Sequence, residues 1–302
     1  MKLKGIFILI AGWAFTLGPG LHAQTQPGID SMLVSTEWLS EHLSDPQLVI
    51  LHYGMKSSYD QEHIPGARYV TIWEFLAEDE QGLRNELPEE GKLEQALRSL
   101  GIHNHSNIVI CYEDVNAISR AARLYFTLEY AGLAVRVAML DGGLQAWKEE
   151  GRPLTAGEAV FETGNVEIQI KEDVRILKKE VFVNLHLEGV VLVDARPADR
   201  YYGAETDTNT PRQGHIEGAV NMPYFKFTGE GGSHLLQPED ELRKLFGDYN
   251  IGPETTLIVY CGSGIWASTV YVAARHLGYK VRLYDGSIQE WGRDDSLPVS
   301  KR

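Results

Sequence analysis

The sequence is poor in cysteine and in basic residues. Only two cysteines, Cys111 and Cys261, occur in 302 residues, which excludes a disulfide framework and a cysteine-rich zinc site. The chain has 42 Asp and Glu residues but only 28 Lys and Arg residues, so its formal net charge is −14. Nucleic acid and anionic membrane surfaces need a basic footprint, so neither is expected as a partner. An anionic substrate would need a local positive site.

Residues 1–23 have the pattern of a secretory signal peptide. Lys2 and Lys4 precede the apolar run from Ile6 to Leu17, and Leu21-His22-Ala23 resembles a cleavage site. The run is shorter than the roughly 20 residues that a membrane span needs, and an uncleaved N-terminal anchor is the alternative. We therefore expect an exported protein, periplasmic or secreted, with no membrane segment after cleavage.

Two motifs occur twice in the same order. EHIPGA (Glu62 to Ala67) recurs as GHIEGA (Gly214 to Ala219), and LDGGLQAW (Leu140 to Trp147) recurs as YDGSIQEW (Tyr284 to Trp291). The offsets are 152 and 144 residues, too similar for chance matches between short motifs. The chain therefore contains an internal repeat, which predicts two copies of one fold.

Each copy alternates short apolar runs with helical patterns. Val190 to Val193 and Thr256 to Tyr260 are continuous apolar runs, typical of strands buried on both faces. Such alternation predicts an α/β fold with two tandem domains, each a mainly parallel sheet flanked by helices. We place the domains at residues 30–153 and 176–300, with residues 154–175 as an extended linker.

Cys261 has the surroundings of a nucleophile. It directly follows a predicted buried strand and precedes the glycine-rich segment Gly262 to Gly264, after which a helix begins near Ala267. Ligands of open α/β sheets bind beyond the carboxyl ends of the strands. A loop that turns its N–H groups inward at a helix N-terminus would lower the thiol pKa and stabilise a persulfide anion. This chemistry needs no metal or organic cofactor. The alternative is a buried, unreactive Cys.

Cys111 lies in the corresponding strand of the first copy. It is followed by Tyr112-Glu113-Asp114, without glycines and with acids that disfavour a thiolate. We interpret it as an inert strand residue. A disulfide between Cys111 and Cys261 would need Cα atoms within about 7 Å, which is not expected for two different domains.

These motifs together resemble the tandem-domain rhodaneses, the family of thiosulfate and 3-mercaptopyruvate sulfurtransferases. The resemblance is carried by the paired HIPGA and HIEGA turns, by the two DG-containing segments that end in Trp, and by LVDARPADRYYG (Leu192 to Gly203), AVNMP (Ala219 to Pro223) and YCGSGIWAS (Tyr260 to Ser268). It implies an inactive first domain and a catalytic second domain, in which Cys261 carries sulfur as a persulfide. It also implies a small anionic sulfur donor and a thiol or cyanide acceptor, with a thioredoxin-like protein as one candidate.

The resemblance also implies substrate-binding residues. The Cys-Gly-Ser-Gly loop matches the mercaptopyruvate type, so Gly262, Ser263, Gly264, Ile265 and Trp266 are expected to line the site, although Ile265-Trp266 departs from the usual Val-Thr and predicts a bulkier wall. Two arginines complete the expected site: Arg200 aligns with a substrate-binding Arg of the family, and Arg212 is a candidate second cation. By contrast, Arg196 is expected to make structural contacts.

A relay described for mercaptopyruvate sulfurtransferases is expected to be absent. Asn85 stands where the relay His would be, and the relay Asp position falls near Trp73. The two motif histidines, His63 and His215, occur in both copies although only one copy holds the nucleophile. A structural role in the turn is therefore the better interpretation.

Two other function classes could also use a Cys at the end of a buried strand. A phosphatase of the same fold needs Cys, five residues and then Arg to wrap a phosphate, but Ala267 stands at that place. A non-enzymatic persulfide sensor or binding module of an exported redox system would use the same Cys261 without turnover.

Overall fold

The structure is a computed structural model that describes residues 29–205, 210–229 and 234–301. The predicted signal peptide, residues 1–23, lies outside the described residues. The first domain contains, in chain order, β1 (Leu33–Val34), α1 (Thr36–His42), β2 (Leu48–Tyr53), α2 (Lys56–Gln61), β3 (Arg68–Val70), β4 (Ala77–Glu78), β5 (Arg84–Glu86), α3 (Glu90–Ser99), β6 (Asn107–Tyr112), α4 (Ile118–Tyr130), β7 (Val137–Leu140) and α5 (Gly143–Glu149). The second contains β8 (Arg175–Ile176), α6 (Lys178–Asn184), β9 (Val190–Asp194), α7 (Ala198–Tyr201), β10 (His215–Ile216), β11 (Val220–Asn221), α8 (Glu239–Gly247), β12 (Thr256–Tyr260), α9 (Ile265–His276), β13 (Lys280–Tyr284), α10 (Ser287–Trp291) and β14 (Val299–Ser300).

Each domain is built on a five-stranded, fully parallel sheet. The strand order is β1-β7-β6-β2-β3 in the first domain and β8-β13-β12-β9-β11 in the second. The two orders correspond strand by strand, so the predicted tandem α/β fold is confirmed. Two antiparallel pairs, β4 with β5 and β10 with β14, lie outside these sheets.

The strands form where the sequence is apolar without interruption. In β6 and β12 every residue after the first is buried, as expected for central strands covered by helices on both faces. The apolar run from Val135 to Leu140 predicts a strand over its whole length, but the strand begins only at Val137, because Ala134–Arg136 forms a 3₁₀ turn.

The two domains share an interface made by α4 and α9. These helices directly follow the central strands, pack against each other and belong to one continuous apolar core. Polar contacts join them too: the buried Glu129 accepts a hydrogen bond from the Tyr271 hydroxyl at 3.0 Å and pairs with Arg275 at 2.5 Å. The central strands β6 and β12 lead into α4 and α9. Because these helices pack against each other, the carboxyl ends of both strands border one cleft between the domains.

The repeated turn histidines have the same surroundings in both domains. His63 stacks on Tyr59 and His215 on Tyr201, with ring centroids 3.9 and 3.7 Å apart. In each pair the histidine Nδ1 lies within 3.0 Å of the tyrosine carbonyl oxygen. Since both histidines are buried and bound in the turn, the structural interpretation is confirmed.

The segment between the domains is extended. Thr155 forms an isolated bridge with His63, and Val166 and Ile168 are buried. The strand β8 begins at Arg175, the last residue of the predicted linker. No helix among the described residues has the length and apolar character that crossing a membrane requires.

Candidate active site

Cys261 lies at the carboxyl end of β12, where the second sheet meets the cleft between the domains. Its exposed fraction is 2 %. The loop of Gly262, Ser263 and Gly264 leads into α9, and Gly264 caps this helix in the left-handed conformation with φ 81°. The strand-to-helix junction predicted from the sequence is present. Its helix, α9, begins at Ile265, two residues before the predicted Ala267.

Three backbone N–H groups act on the Cys261 sulfur and lower its pKa. They belong to Ser263, Trp266 and Ala267, so the predicted cradle exists. Its net effect on the thiol differs from the prediction. Complete burial raises the pKa of Cys261, and this outweighs the lowering by the three N–H groups, while the nearby carboxylate of Asp194 raises it further. The expectation of a lowered thiol pKa is therefore wrong.

A serine hydroxyl holds both ends of this loop. The Ser287 Oγ accepts hydrogen bonds from the backbone N–H of Cys261 at 3.2 Å and of Gly264 at 3.1 Å, and it donates to the Tyr284 carbonyl at 3.0 Å. Ser287 has a left-handed backbone, with φ 52°, which is costly for a residue with a Cβ. This strained residue therefore holds the loop in place through the hydrogen bonds of its hydroxyl.

The sulfur borders a cavity of about 550 Å³ between the domains. The described residues that line it include cations, hydroxyls, amides and aromatic rings, and none of them is acidic: Arg84, Asn85, Val115, Asn116, Ile118, Ser119, Arg120, Arg200, Tyr224, Phe225, Thr228, Cys261, Gly262, Ser263, Ile265, Trp266 and Gln289. Three arginines thus supply a local positive site in a chain of net charge −14. Such a cavity favours a small organic or inorganic anion.

The three arginines singled out in the second domain have different surroundings. Arg200 lines the cavity, as expected. Arg196 is buried and makes a bidentate pair with Asp194 at 2.6–3.1 Å, which confirms its structural role. Arg212 is not among the described lining residues.

The guanidinium of Arg212 donates instead to four backbone carbonyls, those of Gly292, Leu297, Trp291 and Asp294. The expectation that Arg212 supplies a second cation is therefore wrong, because its donors serve the C-terminal segment. Its sequence neighbourhood gave no sign of these long-range acceptors.

Trp266 forms one wall of the cavity. Its indole stacks on Tyr224, with centroids 5.1 Å apart and planes 10° apart, and the Arg200 guanidinium carbon lies 5.1 Å from the indole centroid. The aromatic pair and the cation form a continuous stack. The bulkier wall predicted from Ile265-Trp266 is present, and it also orients Arg200.

The first domain supplies part of the cavity lining, which the sequence did not predict. Arg84 is the first residue of β5, and Arg120 lies in the first turn of α4. Asn85 stands where the relay His would be, and its side-chain amide donates to the Ser263 hydroxyl at 2.7 Å. Trp73 is 68 % exposed and is not among the described lining residues. Only the packing of α4 on α9 brings these segments to Cys261, so no local signal could have found the two arginines.

Cys111 has the opposite surroundings. Both thiols are free. Burial raises the pKa of Cys111 to about 12, and its thiol donates a long hydrogen bond of 3.9 Å to the Tyr112 carbonyl. This agrees with the prediction of an inert strand residue. No group of three or more His, Cys, Asp or Glu side chains in the described part of the chain could hold a metal ion.

Comparison with known proteins identifies the fold. A sequence profile of the Rhodanese-like domain matches residues 35–150 and 178–294. The chain belongs to the rhodanese-like family. It is 32 % identical over 279 residues to the 3-mercaptopyruvate sulfurtransferase of Escherichia coli K12, covering 88 % of this chain and 96 % of that protein. It is 30 % identical over 276 residues to the thiosulfate sulfurtransferase of Rattus norvegicus, covering 86 % and 92 %.

A solved structure agrees with these relatives. The crystal structure of SseA, a 3-mercaptopyruvate sulfurtransferase from Escherichia coli, matches with a TM-score of 0.74 and 30 % identity over 85 % of this chain and 98 % of SseA. The "Sulfur carrier protein TtuD" of Thermus thermophilus is 33 % identical over 287 residues, covering 89 % of this chain and 96 % of that protein. The chain is thus a sulfurtransferase with two rhodanese-like domains.

Proposed function

We propose that Cys261 accepts a sulfane sulfur from a small anionic donor, holds it as a persulfide and passes it to a thiol or to cyanide. The observation that carries this proposal is the position of the Cys261 sulfur, which receives three backbone N–H groups and borders a cavity with three arginines and no acidic lining residue among those described. The cradle stabilises negative charge on sulfur, and the arginines attract the donor.

The reaction proceeds in two covalent steps. The Cys261 thiolate attacks the transferable sulfur, a new S–S bond forms, and the donor's C–S or S–S bond breaks. The electron pair of that bond leaves with pyruvate, as its enolate, or with sulfite. The proton that Cys261 loses on forming the thiolate goes to solvent, and solvent in turn protonates the departing enolate. An acceptor thiolate or cyanide then attacks the outer sulfur and returns Cys261 to its thiolate.

The loop favours 3-mercaptopyruvate as donor. No basic residue directly follows Cys261, whereas Ser263 presents a hydroxyl, and the three cavity arginines come from distant segments. Arg200 is the proposed partner of the donor carboxylate, which a guanidinium can bind through two parallel hydrogen bonds. Gly262, Ile265 and Trp266 complete the proposed binding surface around the sulfur. Gly264, which was expected to line the site, is not among the described lining residues, because it is buried at the N-terminus of α9.

Steady-state kinetics with both donors test this proposal. We expect a higher kcat/KM for 3-mercaptopyruvate than for thiosulfate, with 2-mercaptoethanol as acceptor, and no turnover of either donor by Cys261→Ser. Cys111→Ser is the matched control and should keep the wild-type values. Residual turnover by Cys261→Ser would contradict the role of Cys261, and a tenfold preference for thiosulfate would contradict the donor assignment.

Export and a thioredoxin-like acceptor are further proposals. The first rests on the basic, apolar and small-residue pattern of residues 1–23. Fractionation of cells that express the full chain should place the protein outside the cytoplasm with a shortened N-terminus. Recovery of the full-length chain in the cytoplasm would contradict export.

A reduced thioredoxin should discharge the persulfide faster than an equal concentration of free thiol, and an equal rate would contradict a dedicated protein acceptor.

A further inference from the structure

Asn85 is a residue of the first domain that touches the catalytic loop of the second. It lies in β5, and its side-chain amide donates a hydrogen bond of 2.7 Å to the Ser263 Oγ. Ser263 in turn directs its backbone N–H at the Cys261 sulfur. A single chain of contacts therefore leads from the first domain to the nucleophile.

The backbone of Asn85 is held in a conformation that needs support. Its φ is 65°, in the left-handed region that Asn tolerates better than most residues. The Arg123 Nη2 donates to the Asn85 carbonyl at 2.7 Å, while the Arg123 Nη1 pairs with Asp285 at 2.5 Å. Asp285 also accepts the Leu87 N–H at 2.7 Å. Because Arg123 has no exposed surface, these contacts lock the segment around Asn85 onto the second domain.

The amide determines where the Ser263 hydroxyl can donate. An Asn NH₂ group can only donate, so Ser263 Oγ must be the acceptor in this contact. The hydroxyl hydrogen is then left for another acceptor, and Ser263 lines the cavity. We propose that Asn85 is a positioning residue that turns the Ser263 O–H toward the oxygen or sulfur of the anionic donor. This inference rests on the proposed persulfide chemistry of Cys261.

A double-mutant cycle tests the proposal. The variants are Asn85→Gly, Ser263→Ala and the double variant, and glycine suits the left-handed backbone. Sulfur loading of Cys261 by 3-mercaptopyruvate is followed in a single turnover. We expect Asn85→Gly to slow loading about five- to tenfold, in line with one neutral hydrogen bond. In the Ser263→Ala background it should cause no further slowing. Asn85→Asp should be slower still, since a carboxylate would take the Ser263 proton for itself.

The control is Asn250→Gly, which changes another left-handed Asn, with φ 58°, on the exposed surface. It should load sulfur at the wild-type rate, and all variants should melt close to the wild type. Loading by Asn85→Gly at the wild-type rate would overturn the proposal. So would an equal slowing in both backgrounds, because Asn85 would then act independently of Ser263. Failure of the wild-type enzyme to load any sulfur would instead refute the role of Cys261, and this inference with it.

Discussion

The two domains share a fold but differ at one corresponding position, the carboxyl end of the central strand. In the first domain Gly143, of the DGG motif, packs on Tyr112, whose carbonyl and ring would lie 2.5–2.9 Å from a Cβ at that glycine. In the second domain Ser287 stands at the same place of the DGS motif and hydrogen-bonds the backbone of Cys261. Tyr112 is therefore the counterpart of the nucleophile.

The strand register supports this correspondence. Cys111 lies opposite His52 in the first sheet, and Tyr260 lies opposite Asp194 at the end of the matching strand of the second. His52 and Asp194 are equivalent, because each lies seven residues before the tyrosine that stacks on the turn histidine of its domain. Cys111 thus corresponds to Tyr260 and precedes the reactive position by one residue. A tyrosine ring fills the first position, whereas the second has a small thiol and a glycine loop. The same fold therefore forms a reactive site only in the second domain. There the side chain at this position is small, and the N–H groups of the following loop and helix point toward it.

The largest expected effect concerns the aspartates of the two DG motifs. Asp285 pairs with the fully buried Arg123, whereas Asp141 pairs with the exposed His234 at 2.7 Å. Removing one partner of a buried ion pair costs about 3–5 kcal/mol, and an exposed pair contributes at most about 1 kcal/mol. Urea unfolding should therefore show a much larger loss for Asp285→Asn than for Asp141→Asn. Equal losses would contradict the asymmetry of the interface.

A thiol at the counterpart position should not become a second nucleophile. Tyr112→Cys leaves a cavity in the core and is expected to cost about 3 kcal/mol of unfolding free energy. Combined with Cys261→Ser, it should take up no sulfur from 3-mercaptopyruvate, because Glu113 and Asp114 replace the glycine cradle. Mass spectrometry of the treated double variant checks this, with Cys261→Ser alone as control. Sulfur on the double variant would show that a small residue alone is sufficient.

Substitution of the two loop glycines, Gly262 and Gly264, by alanine should reduce the stability of the protein by different amounts. A Cβ at Gly264 would lie 2.7 Å from the Arg123 Nη1 and 2.9 Å from the Asp285 Oδ1, and the backbone there is left-handed. At Gly262 a Cβ would meet nothing within 4 Å. Gly264→Ala should lose at least about 1–2 kcal/mol from backbone conformation alone, with a lower Tm, while Gly262→Ala should melt close to the wild type. A reversed order would contradict the described packing.

The smallest expected effect concerns Trp266. Its stack with Arg200 lies at a partly exposed site, where a cation–π contact contributes about 0.5–1 kcal/mol. Trp266→Val should therefore raise KM for 3-mercaptopyruvate about two- to fivefold and leave kcat nearly unchanged, whereas Trp266→Phe should keep most of the affinity. A fall in kcat without a change in KM would show that Trp266 acts on the loop rather than through Arg200.

The sequence predicted what depends on local pattern. The repeat, the parallel sheets and the strand–Cys–glycine–helix junction at Cys261 all follow from contiguous residues. The net pKa shift of Cys261 did not, because the burial that raises the pKa depends on tertiary packing and outweighs the cradle. Arg212 was misassigned because its carbonyl acceptors are about 80 residues away in the chain. Arg84 and Arg120 reach the cavity only through the packing of α4 on α9.

The central claim is that Cys261 alone carries the transferred sulfur. Intact-mass spectrometry after treatment with 3-mercaptopyruvate, without acceptor, measures this directly in the wild type, Cys111→Ser and Cys261→Ser. We predict the mass of one added sulfur atom on the wild type and on Cys111→Ser, and none on Cys261→Ser. Sulfur retained by Cys261→Ser, or lost with Cys111→Ser, would contradict the account.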